Sequence, residues 1–466
     1  MKSLIPSFST TALMILLVLQ QRSISLVQSF SSHTPQRVVI VGGGIGGLSS
    51  AFDAHKTLQR GKSPDQKTEV VVVSDRDVFS FTPSNPWIAV GKRQPSDIQL
   101  DLATVLPRHD IGFIHSAAEE LFPTAKKLKL KNGDTLTYDY LIIATGPRLG
   151  NDIPGLKEHG QSVCTTPHAQ RAYETFEELC ANPGPVVIGA TQGASCFGPA
   201  YEYAFLLQHA LLKRGGKALV EKCPITFVTA EPQVGHLGLN GAGNSKTLMP
   251  GLLKERNISY FANARVLKVT ADSVHVEKLD FDGKVIETHE FSSRLTMFIP
   301  AFSGHDVWKK VPHLTDPKGM ILVNEHQQSP AYPGIFGVGA CVAIPNEEVL
   351  TIPIGIPKTG YLIESQGTAA VENIHSLMHS KAMTTKAALN ALCITDFGDD
   401  GAVFVTLPQI PPRRFDWTIH SKAIVLAKIA FEKYFLHKIE TGDTDPYYEK
   451  YLLKLVGVDR IVHEYS

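Results

Sequence analysis

The chain is poor in cysteine and has no excess of charge of either sign. Its 466 residues include six cysteines, and none of them forms a Cys-x-x-Cys pair. Neither a disulfide-stapled scaffold nor a zinc or thioredoxin-type motif is therefore indicated. Acidic and basic residues balance at 45 each, and no long Lys/Arg block occurs, which argues against nucleic-acid binding. The chain is long and apolar enough for two or three packed domains.

Long hydrophobic runs are also missing. The run at Ala12–Leu19 is too short to span a bilayer, which needs about 20 apolar residues. It follows Lys2 and precedes a Ser-rich stretch with no acid before Asp53. This composition predicts a targeting segment over residues 1–35, either a secretory or bipartite signal cleaved after Ser29 or an acid-poor transit peptide. The segment suggests an organelle, a mitochondrion or a plastid.

A buried-strand pattern followed at once by glycines opens the rest of the chain. Arg37–Val41 is apolar, and Gly42, Gly44 and Gly47 form a Gly-x-Gly-x-x-Gly turn before a predicted helix at Leu48–Gln59. In this context the glycines let the backbone approach a pyrophosphate, and the helix N-terminus supplies partial positive charge. The turn therefore predicts a dinucleotide site.

The next predicted strand, Glu69–Val73, would normally end in an acid that binds the ribose hydroxyls of the nucleotide. Here Ser74 stands at the strand end and Asp75 follows it. The sequence leaves open which of the two faces the adenosine, so both are candidates for cofactor binding.

Two later segments bear on the identity of the cofactor. Tyr138–Gly146 predicts a strand after a hairpin that turns at Asn132 and Gly133, and Gly334–Gly339 predicts another short buried strand. With the first turn, these segments resemble the FAD-binding elements of flavoproteins that have two dinucleotide-binding domains. The resemblance implies FAD, although Ala340 replaces the usual acid. The cofactor-binding candidates here are Ala144, Thr145, Gly146 and Gly339.

A second strand–turn–helix pattern lacks the glycines of a nucleotide site. Gly184–Gly189 and Ile225–Glu231 predict neighbouring strands, but Thr191 and Ala194 replace the second and third glycines of the turn. The Thr191 side chain would crowd an approaching pyrophosphate. Glu231 argues the other way, because an acid at a strand end can bind the NAD ribose. The broken turn weighs more, since a missing glycine is a steric block, so NAD(P)H is not the expected electron donor.

The same turn carries Cys196, just before a helix predicted at Tyr201–Lys213. The dipoles at a helix N-terminus lower the pKa of a thiol and favour the thiolate. Cys196 is therefore a candidate reactive cysteine, with a buried and unreactive cysteine as the alternative.

Several sequence strings together resemble the sulfide:quinone oxidoreductases, from about Arg37 to the C-terminus. The form that they resemble is common in bacteria and has three cysteines, which here are Cys164, Cys196 and Cys393. The strings occur in the expected order and are Phe81–Trp87, Gly193–Tyr203, Gly235–Gly238, Pro357–Tyr361 and Ala430–Phe435.

The resemblance implies a role for each matching residue. Cys196 and Cys393 would form a redox disulfide on one face of the flavin, which sulfide attacks, and Cys164 would lie near the flavin. Electrons would pass through FAD to a quinone. The resemblance also implies that His168 and His236 are proton-transfer groups. It implies that Lys358 is a fixed positive charge near the flavin.

The C-terminal region, about Phe415–Val462, mixes lysines with apolar residues at helical spacing. Ile419–Phe435 and Tyr447–Val456 predict amphipathic helices, which can lie in the headgroup plane of a membrane or pack on the protein's own sheet. The resemblance favours peripheral membrane association, with Phe431 and Phe435 at the quinone. It leaves a homo-oligomer open.

These elements predict an α/β fold with two tandem Rossmann-like units and an amphipathic C-terminal region. The rival readings are a type II NADH:quinone dehydrogenase, the flavoprotein subunit of a sulfide dehydrogenase, and a flavin-binding protein without turnover. The predicted boundaries are a targeting segment at 1–35, a discontinuous FAD unit at 36–150 and 300–375, a second Rossmann-like unit at 151–299, and the C-terminal region at 376–466.

Overall fold

The computed structural model describes residues 36–60, 67–150, 152–346, 348–444 and 460–463. The predicted targeting segment, 1–35, and the second predicted C-terminal helix, Tyr447–Val456, lie outside the described residues.

The described residues form both strands and α-helices. The strands, in chain order, are β1 (Arg37–Val41), β2 (Glu69–Ser74), β3 (Val78–Ser80), β4 (Gln99–Asp101), β5 (Gly112–His115), β6 (Ala118–Phe122), β7 (Lys127–Leu130), β8 (Thr135–Thr137), β9 (Tyr140–Ile143), β10 (Arg148–Leu149), β11 (Val186–Ala190), β12 (Ile225–Thr229), β13 (Ser259–Phe261), β14 (Ala264–Val269), β15 (Ser273–Leu279), β16 (Val285–Ser292), β17 (Leu295–Ile299), β18 (Phe302–Ser303), β19 (Ile335–Gly337), β20 (Thr385–Ala387), β21 (Ala391–Asp396), β22 (Gly401–Leu407), β23 (Phe415–Ser421) and β24 (Ile461–His463). The α-helices are α1 (Ile45–Leu58), α2 (Asn85–Ile88), α3 (Leu102–Val105), α4 (Leu156–His159), α5 (Thr166–Ala181), α6 (Gly198–Lys222), α7 (Ser245–Glu255), α8 (Asp306–Lys309), α9 (Gly360–Met378) and α10 (Ala423–Thr441).

The first parallel sheet has the strand order β19-β9-β1-β2-β5. Its central strands are continuous apolar runs because both faces of a parallel sheet are covered, and Val38, Val39 and Ile40 of β1 are 0% exposed. Strand β19 comes from the later piece of the predicted FAD unit and the other four from the earlier piece. The sheet therefore joins the two pieces, and helices α1 and α9 pack against each other beside it. The exact boundaries stay predictions.

The second parallel sheet has the order β13-β12-β11-β17. Its strands β11, β12 and β17 pair in parallel register, and helices α5 and α6 contact one another and β17. Two parallel sheets, each entered by a strand–turn–helix unit, confirm the predicted fold class. The hairpin predicted at Asn132–Gly133 is also present, since β7 and β8 pair antiparallel across that turn.

The C-terminal region differs from its prediction at one point. Phe415–Ser421, predicted to open an amphipathic helical region, is strand β23, and it pairs with β22 along its length. Phe415, Trp417 and Ile419 alternate with polar residues, a two-residue period that is typical of a strand. The helix, α10, begins only at Ala423 and packs on β21 and β22.

Candidate functional site

The glycine turn between β1 and α1 is shaped for close approach of a ligand. A Cβ on Gly42 would lie 2.2 Å from the carbonyl oxygen of Ala144, and one on Gly47 would lie 1.8 Å from that of Gly42. Gly44, by contrast, has no atom within 4 Å of its Cβ position. Gly44 immediately precedes α1, whose first turn has no side-chain cap. The open helix N-terminus therefore fits a pyrophosphate.

The ends of β9 and β19 flank this turn. Gly146 (φ +68°) has open space at its Cβ position, and Gly339 (φ +86°) has its N–H bonded to Oε1 of Gln366 at 2.9 Å. Thr145 accepts a hydrogen bond from Nε1 of Trp308 at 3.2 Å. The predicted cofactor residues from three separate segments thus meet at the carboxyl edge of one sheet, where doubly wound folds bind their ligands.

The structure distinguishes the two residues that follow β2. Ser74 is 5% exposed, and its Oγ would lie 2.8 Å from a Cβ on Gly43, so its side chain packs under the glycine turn. Asp75 is exposed. His305, which the sequence did not single out, is half-buried nearby, and its burial lowers the pKa of the ring while the charge of Asp75 opposes that shift. Its buried Nε2 has no hydrogen-bond partner among the described residues.

Lys358 lies beside the strand end that carries Gly339. Its Nζ donates to the carbonyl oxygen of Ala340 at 3.2 Å, and burial lowers the pKa of the amine to about 8. An anionic group bound nearby would favour the charged amine. The open helix N-terminus, this lysine and the unpaired His305 nitrogen together fit a dinucleotide cofactor such as FAD.

The two predicted redox cysteines and Cys164 converge near the amino end of α6. The Sγ of Cys393 on β21 would lie 3.2 Å from a Cβ on Gly198, two residues after Cys196. Cys393 and Cys164 are both close enough to Cys196 to act on its pKa. Packing of β21 against α6 thus brings together residues about 200 positions apart in the chain. All three are free thiols in the structure.

The prediction that a helix N-terminus lowers the pKa of the Cys196 thiol is wrong for the free thiol. Burial raises the pKa of Cys196, and Cys393 and Cys164 raise it further. Burial likewise raises the pKa of Cys393 to about 12 and that of Cys164 to about 11. Desolvation of a buried thiol disfavours the charged thiolate. The site therefore favours uncharged sulfur, as a thiol or in a disulfide.

The two candidate histidines lie on separate segments. His168 is in the first turn of α5, where its backbone N–H donates to the Oγ1 of Thr165 at 3.3 Å. His236 is 1% exposed, and its Nε2 lies 3.0 Å from a carboxylate oxygen of Glu348. Burial lowers the pKa of both rings. Among the described residues, no hydrogen bond joins either ring to a cysteine.

The chain itself occupies the second turn, where a nucleotide would have to bind. The N–H of Gly193 donates to the carbonyl oxygen of Pro353 at 2.8 Å, and the N–H of Gly355 donates to that of Ala194 at 2.8 Å. Thr191, which replaces a glycine, is 0% exposed. Backbone groups that would face a pyrophosphate are therefore used within the protein.

Glu231, the residue that argued for NAD, is also used internally. It is 0% exposed and accepts hydrogen bonds from Tyr201 Oη at 2.7 Å, Thr229 Oγ1 at 2.8 Å and the N–H of Leu237 at 2.6 Å. Burial raises its pKa to about 7. This carboxylate positions the loop that carries His236 and has no face open to a ribose.

Sequence reasoning missed a buried ion pair beside the cysteines. The carboxylate of Glu202 on α6 pairs with the ammonium of Lys428 on α10, with side chains 4% and 2% exposed. Besides burial, the charge of Glu202 raises the pKa of Cys393 and the charge of Lys428 lowers it. Glu202 lies within the string Gly193–Tyr203. An acidic residue among the apolar residues of this predicted helix was the signal that could have indicated a buried ion pair.

The two candidate quinone residues have different surroundings. Phe435 is 2% exposed, with its ring centroid 6.3 Å from that of Phe79 and 5.1 Å from that of Phe81. Phe431 is half-buried and meets the Phe81 ring edge-on at 5.8 Å. Phe435 is thus a core residue, and Phe431 is the better placed of the two to touch a ligand.

Comparison with known proteins identifies the class to which this fold and site belong. Residues 36–367 match the pyridine nucleotide-disulphide oxidoreductase family. The chain belongs to that family, and its predicted FAD cofactor is confirmed.

Within that family the chain is similar to a sulfide-quinone reductase. It is 42% identical over 422 residues to the "Sulfide-quinone reductase" of Aquifex aeolicus, which covers 90% of this chain and 95% of that protein. A crystal structure of the sulfide:quinone oxidoreductase from the same bacterium superimposes with a TM-score of 0.87 at 40% identity, covering 92% of this chain and 98% of that one. The resemblance read from the sequence strings is therefore confirmed.

More distant relatives share less. The mitochondrial sulfide:quinone oxidoreductase of Mus musculus is 26% identical over 327 residues, covering 67% of this chain and 66% of that protein. The structure of NDH2 from Plasmodium falciparum has a TM-score of 0.68 at 14% identity, covering 90% of this chain and 98% of that one. The second likeness shows the fold alone.

Proposed function

We propose that this protein is a sulfide:quinone oxidoreductase, in which a Cys196–Cys393 disulfide takes electrons from sulfide. The observation that carries the proposal is the placement of Cys393 over Gly198, next to Cys196, in a chain 42% identical to a sulfide-quinone reductase. The occupied second turn and the internal bonding of Glu231 support sulfide rather than NADH as the electron donor.

The cysteine chemistry follows from thiol–disulfide exchange. Hydrosulfide attacks one sulfur of the disulfide, so that one cysteine becomes a persulfide and the other leaves as a thiolate. Because burial raises the pKa of both thiols, the leaving sulfur needs a nearby proton or an electron acceptor. FAD, when bound, would supply the two-electron acceptor from which a quinone is reduced. Each further sulfide that extends the sulfur chain would give up two more electrons by the same route, until polysulfide or sulfur leaves.

His168 and His236 are the proposed proton carriers for these steps. Burial lowers the pKa of both rings, so each is neutral near pH 7 and can accept a proton. Each also has a buried Nδ1 without a partner among the described residues. We propose Phe431 as the quinone contact, because its ring is the one that is not fully enclosed.

The test of the proposed function is the choice of reductant. Under anaerobic conditions, sulfide is expected to bleach the flavin absorbance of the purified protein. NADH at the same concentration should leave it oxidised, because the second turn is filled by the 353–355 segment. A quinone analogue should then restore the absorbance. Bleaching by NADH without a response to sulfide would replace this function with that of an NADH:quinone dehydrogenase.

We further propose that the protein reaches its quinone by peripheral membrane association through α10. Three charged residues of this helix, Lys428, Glu432 and Lys438, are only 2–3% exposed, whereas the apolar Leu426 is 70% exposed. Within the described residues, no helix is long and apolar enough to cross a membrane.

Strand β23, which precedes α10 in the chain, also has exposed apolar side chains. Trp417 is 40% exposed and Ile419 is 48% exposed. Exposed apolar side chains of this kind can be buried at the level of the headgroups. The organelle stays a prediction of the sequence, with a relative from mouse that is named mitochondrial.

Leu426→Asp is expected to weaken binding to phosphatidylcholine vesicles by about tenfold or more, because it removes the burial of one leucine side chain. Cosedimentation of the purified protein with vesicles measures this change. Leu267→Asp is the matched control, since Leu267 is also an exposed leucine (41%) but lies on β14 of the second unit. Equal binding by wild type and Leu426→Asp would rule out this docking surface.

A further inference from the structure

Asp396 is the centre of a buried hydrogen-bond network at the end of the strand that carries Cys393. It lies three residues after Cys393 on β21 and is 1% exposed. Its Oδ2 accepts from Nε1 of Trp87 at 2.7 Å and from Nζ of Lys92 at 2.9 Å. Its Oδ1 accepts from the N–H of Gly398 at 2.7 Å. The strand that carries Cys393 is thus bonded to the Trp87 segment and to its own hairpin turn.

The main chain of Asp396 makes a second connection, to the helix that follows Cys196. Its N–H donates to Oε1 of Glu202 at 3.1 Å, and Glu202 lies six residues after Cys196 on α6. One residue therefore links the two elements that bring the cysteines together.

Trp87, the main donor to Asp396, is itself held firmly. It is 1% exposed, and the cations of Arg93 and Lys428 lie over its ring at 4.7 and 4.9 Å from the centroid. A cation over the face of an indole ring is attracted to it and helps to hold the ring in place. The string Phe81–Trp87 is one of those that carry the family resemblance, and the sequence alone indicated no role for it. Through the indole N–H of Trp87 it supplies a rigid hydrogen-bond donor to the strand of Cys393.

We propose that Asp396 is a positioning residue for the redox disulfide. Its bonds hold β21 against α6, so that the sulfurs of Cys393 and Cys196 stay within bonding distance whenever the disulfide opens and closes. A disulfide requires its Cβ atoms to be about 3.5–4.5 Å apart. A displacement of about 1 Å can lower the rate of a reaction between positioned groups by about 100-fold. The inference rests on the proposed function, because it assumes a Cys196–Cys393 disulfide.

The test measures the disulfide itself and not turnover. FAD-loaded protein is equilibrated with reduced and oxidised glutathione, and alkylation followed by peptide mass analysis gives the fraction of Cys196–Cys393 disulfide. Each disulfide formed converts one oxidised glutathione to two reduced ones, so the equilibrium constant is an effective concentration of the two thiols. Asp396→Asn is expected to lower it about tenfold. Trp87→Phe, which keeps the ring and removes the donor, should lower it less, in the same direction.

Asp399→Asn is the matched control. Asp399 is on the turn of the same hairpin, but it is exposed and bonds to Arg256 at 2.8 Å, so its replacement should leave the equilibrium constant unchanged. Flavin absorbance and the melting temperature report on folding, and Trp87→Phe decides if Asp396→Asn does not fold.

Two results would overturn the inference, and they differ from each other. An equilibrium constant within twofold of wild type in both folded variants would show that Asp396 contributes to stability alone, with the proposed function intact. If wild-type protein forms no Cys196–Cys393 disulfide at all, the proposed function fails together with the inference.

Discussion

Replacing Cys196 by serine is expected to lower sulfide-dependent quinone reduction by about three orders of magnitude or more, while FAD stays bound. Serine cannot form the disulfide that sulfide attacks. The FAD candidates lie in the first sheet, around Gly42, Gly146 and Gly339, and Cys196 lies at the second, so cofactor binding does not depend on the thiol. Steady-state quinone reduction and the flavin absorbance of the purified variant measure the two effects separately.

Three further variants make this result specific. Cys393→Ser should lose as much activity as Cys196→Ser, and the double variant should be no worse, because residues that act as a unit are not additive. Cys180→Ser is the matched control, since Cys180 is a half-buried cysteine near the end of α5 with no role in the proposed chemistry. Turnover of Cys196→Ser within tenfold of wild type would remove the disulfide mechanism.

Lys428→Met is expected to destabilise the protein by about 3–5 kcal/mol. The substitution leaves the carboxylate of Glu202 buried without its cation, at a side-chain exposure of 4%. It also removes the cation from the ring of Trp87. Burial already raises the pKa of Glu202, so the unpaired carboxyl should take up a proton and lose part of its hydrogen bonding. Chemical denaturation of the FAD-loaded protein measures the free energy of unfolding.

The same helix provides the control for this prediction. Lys433 is exposed on α10, and Lys433→Met should change the free energy of unfolding by less than about 0.5 kcal/mol. Replacing both partners, as Glu202→Gln with Lys428→Met, should recover much of the lost stability, because no unpaired charge remains buried. A Lys428→Met variant as stable as Lys433→Met would mean that the pair contributes nothing to folding.

Local sequence patterns predicted well those elements whose structure depends on residues close together in the chain. Arg37–Val41 is a strand with the predicted bounds, and the glycines after it adopt a turn that only glycine could occupy at Gly42 and Gly47. The Asn132–Gly133 hairpin also forms, with Gly133 at φ +95°. These features depend on neighbours within a few residues, which the sequence displays directly.

Predictions that depended on surroundings succeeded less often. The pKa of the Cys196 thiol rises instead of falling, since the thiol is buried. The alternatives at Ser74 and Asp75 could be separated only when the glycine turn was seen packed on Ser74. The C-terminal pattern of lysines and apolar residues was correctly read as a helix from Ala423, but which face it buries was not predictable. Lys428 and Lys438 turn inward, where Glu202 and Glu364 pair with them.

By itself, the sequence determined the two strand–turn–helix units, the loss of the glycines in the second of them, and the family strings that point to sulfide and a quinone. Only the tertiary structure showed that Cys393 lies next to Cys196 and that Asp396 joins the two elements that carry them. It also showed that the carboxylate of Glu231 accepts hydrogen bonds from Tyr201 and Leu237. The physical reason is range. Backbone conformation is set by residues a few positions apart. Burial, ion pairing and sulfur proximity arise instead from contacts between segments about 200 residues apart. A local sequence pattern carries no information about the energies of such contacts.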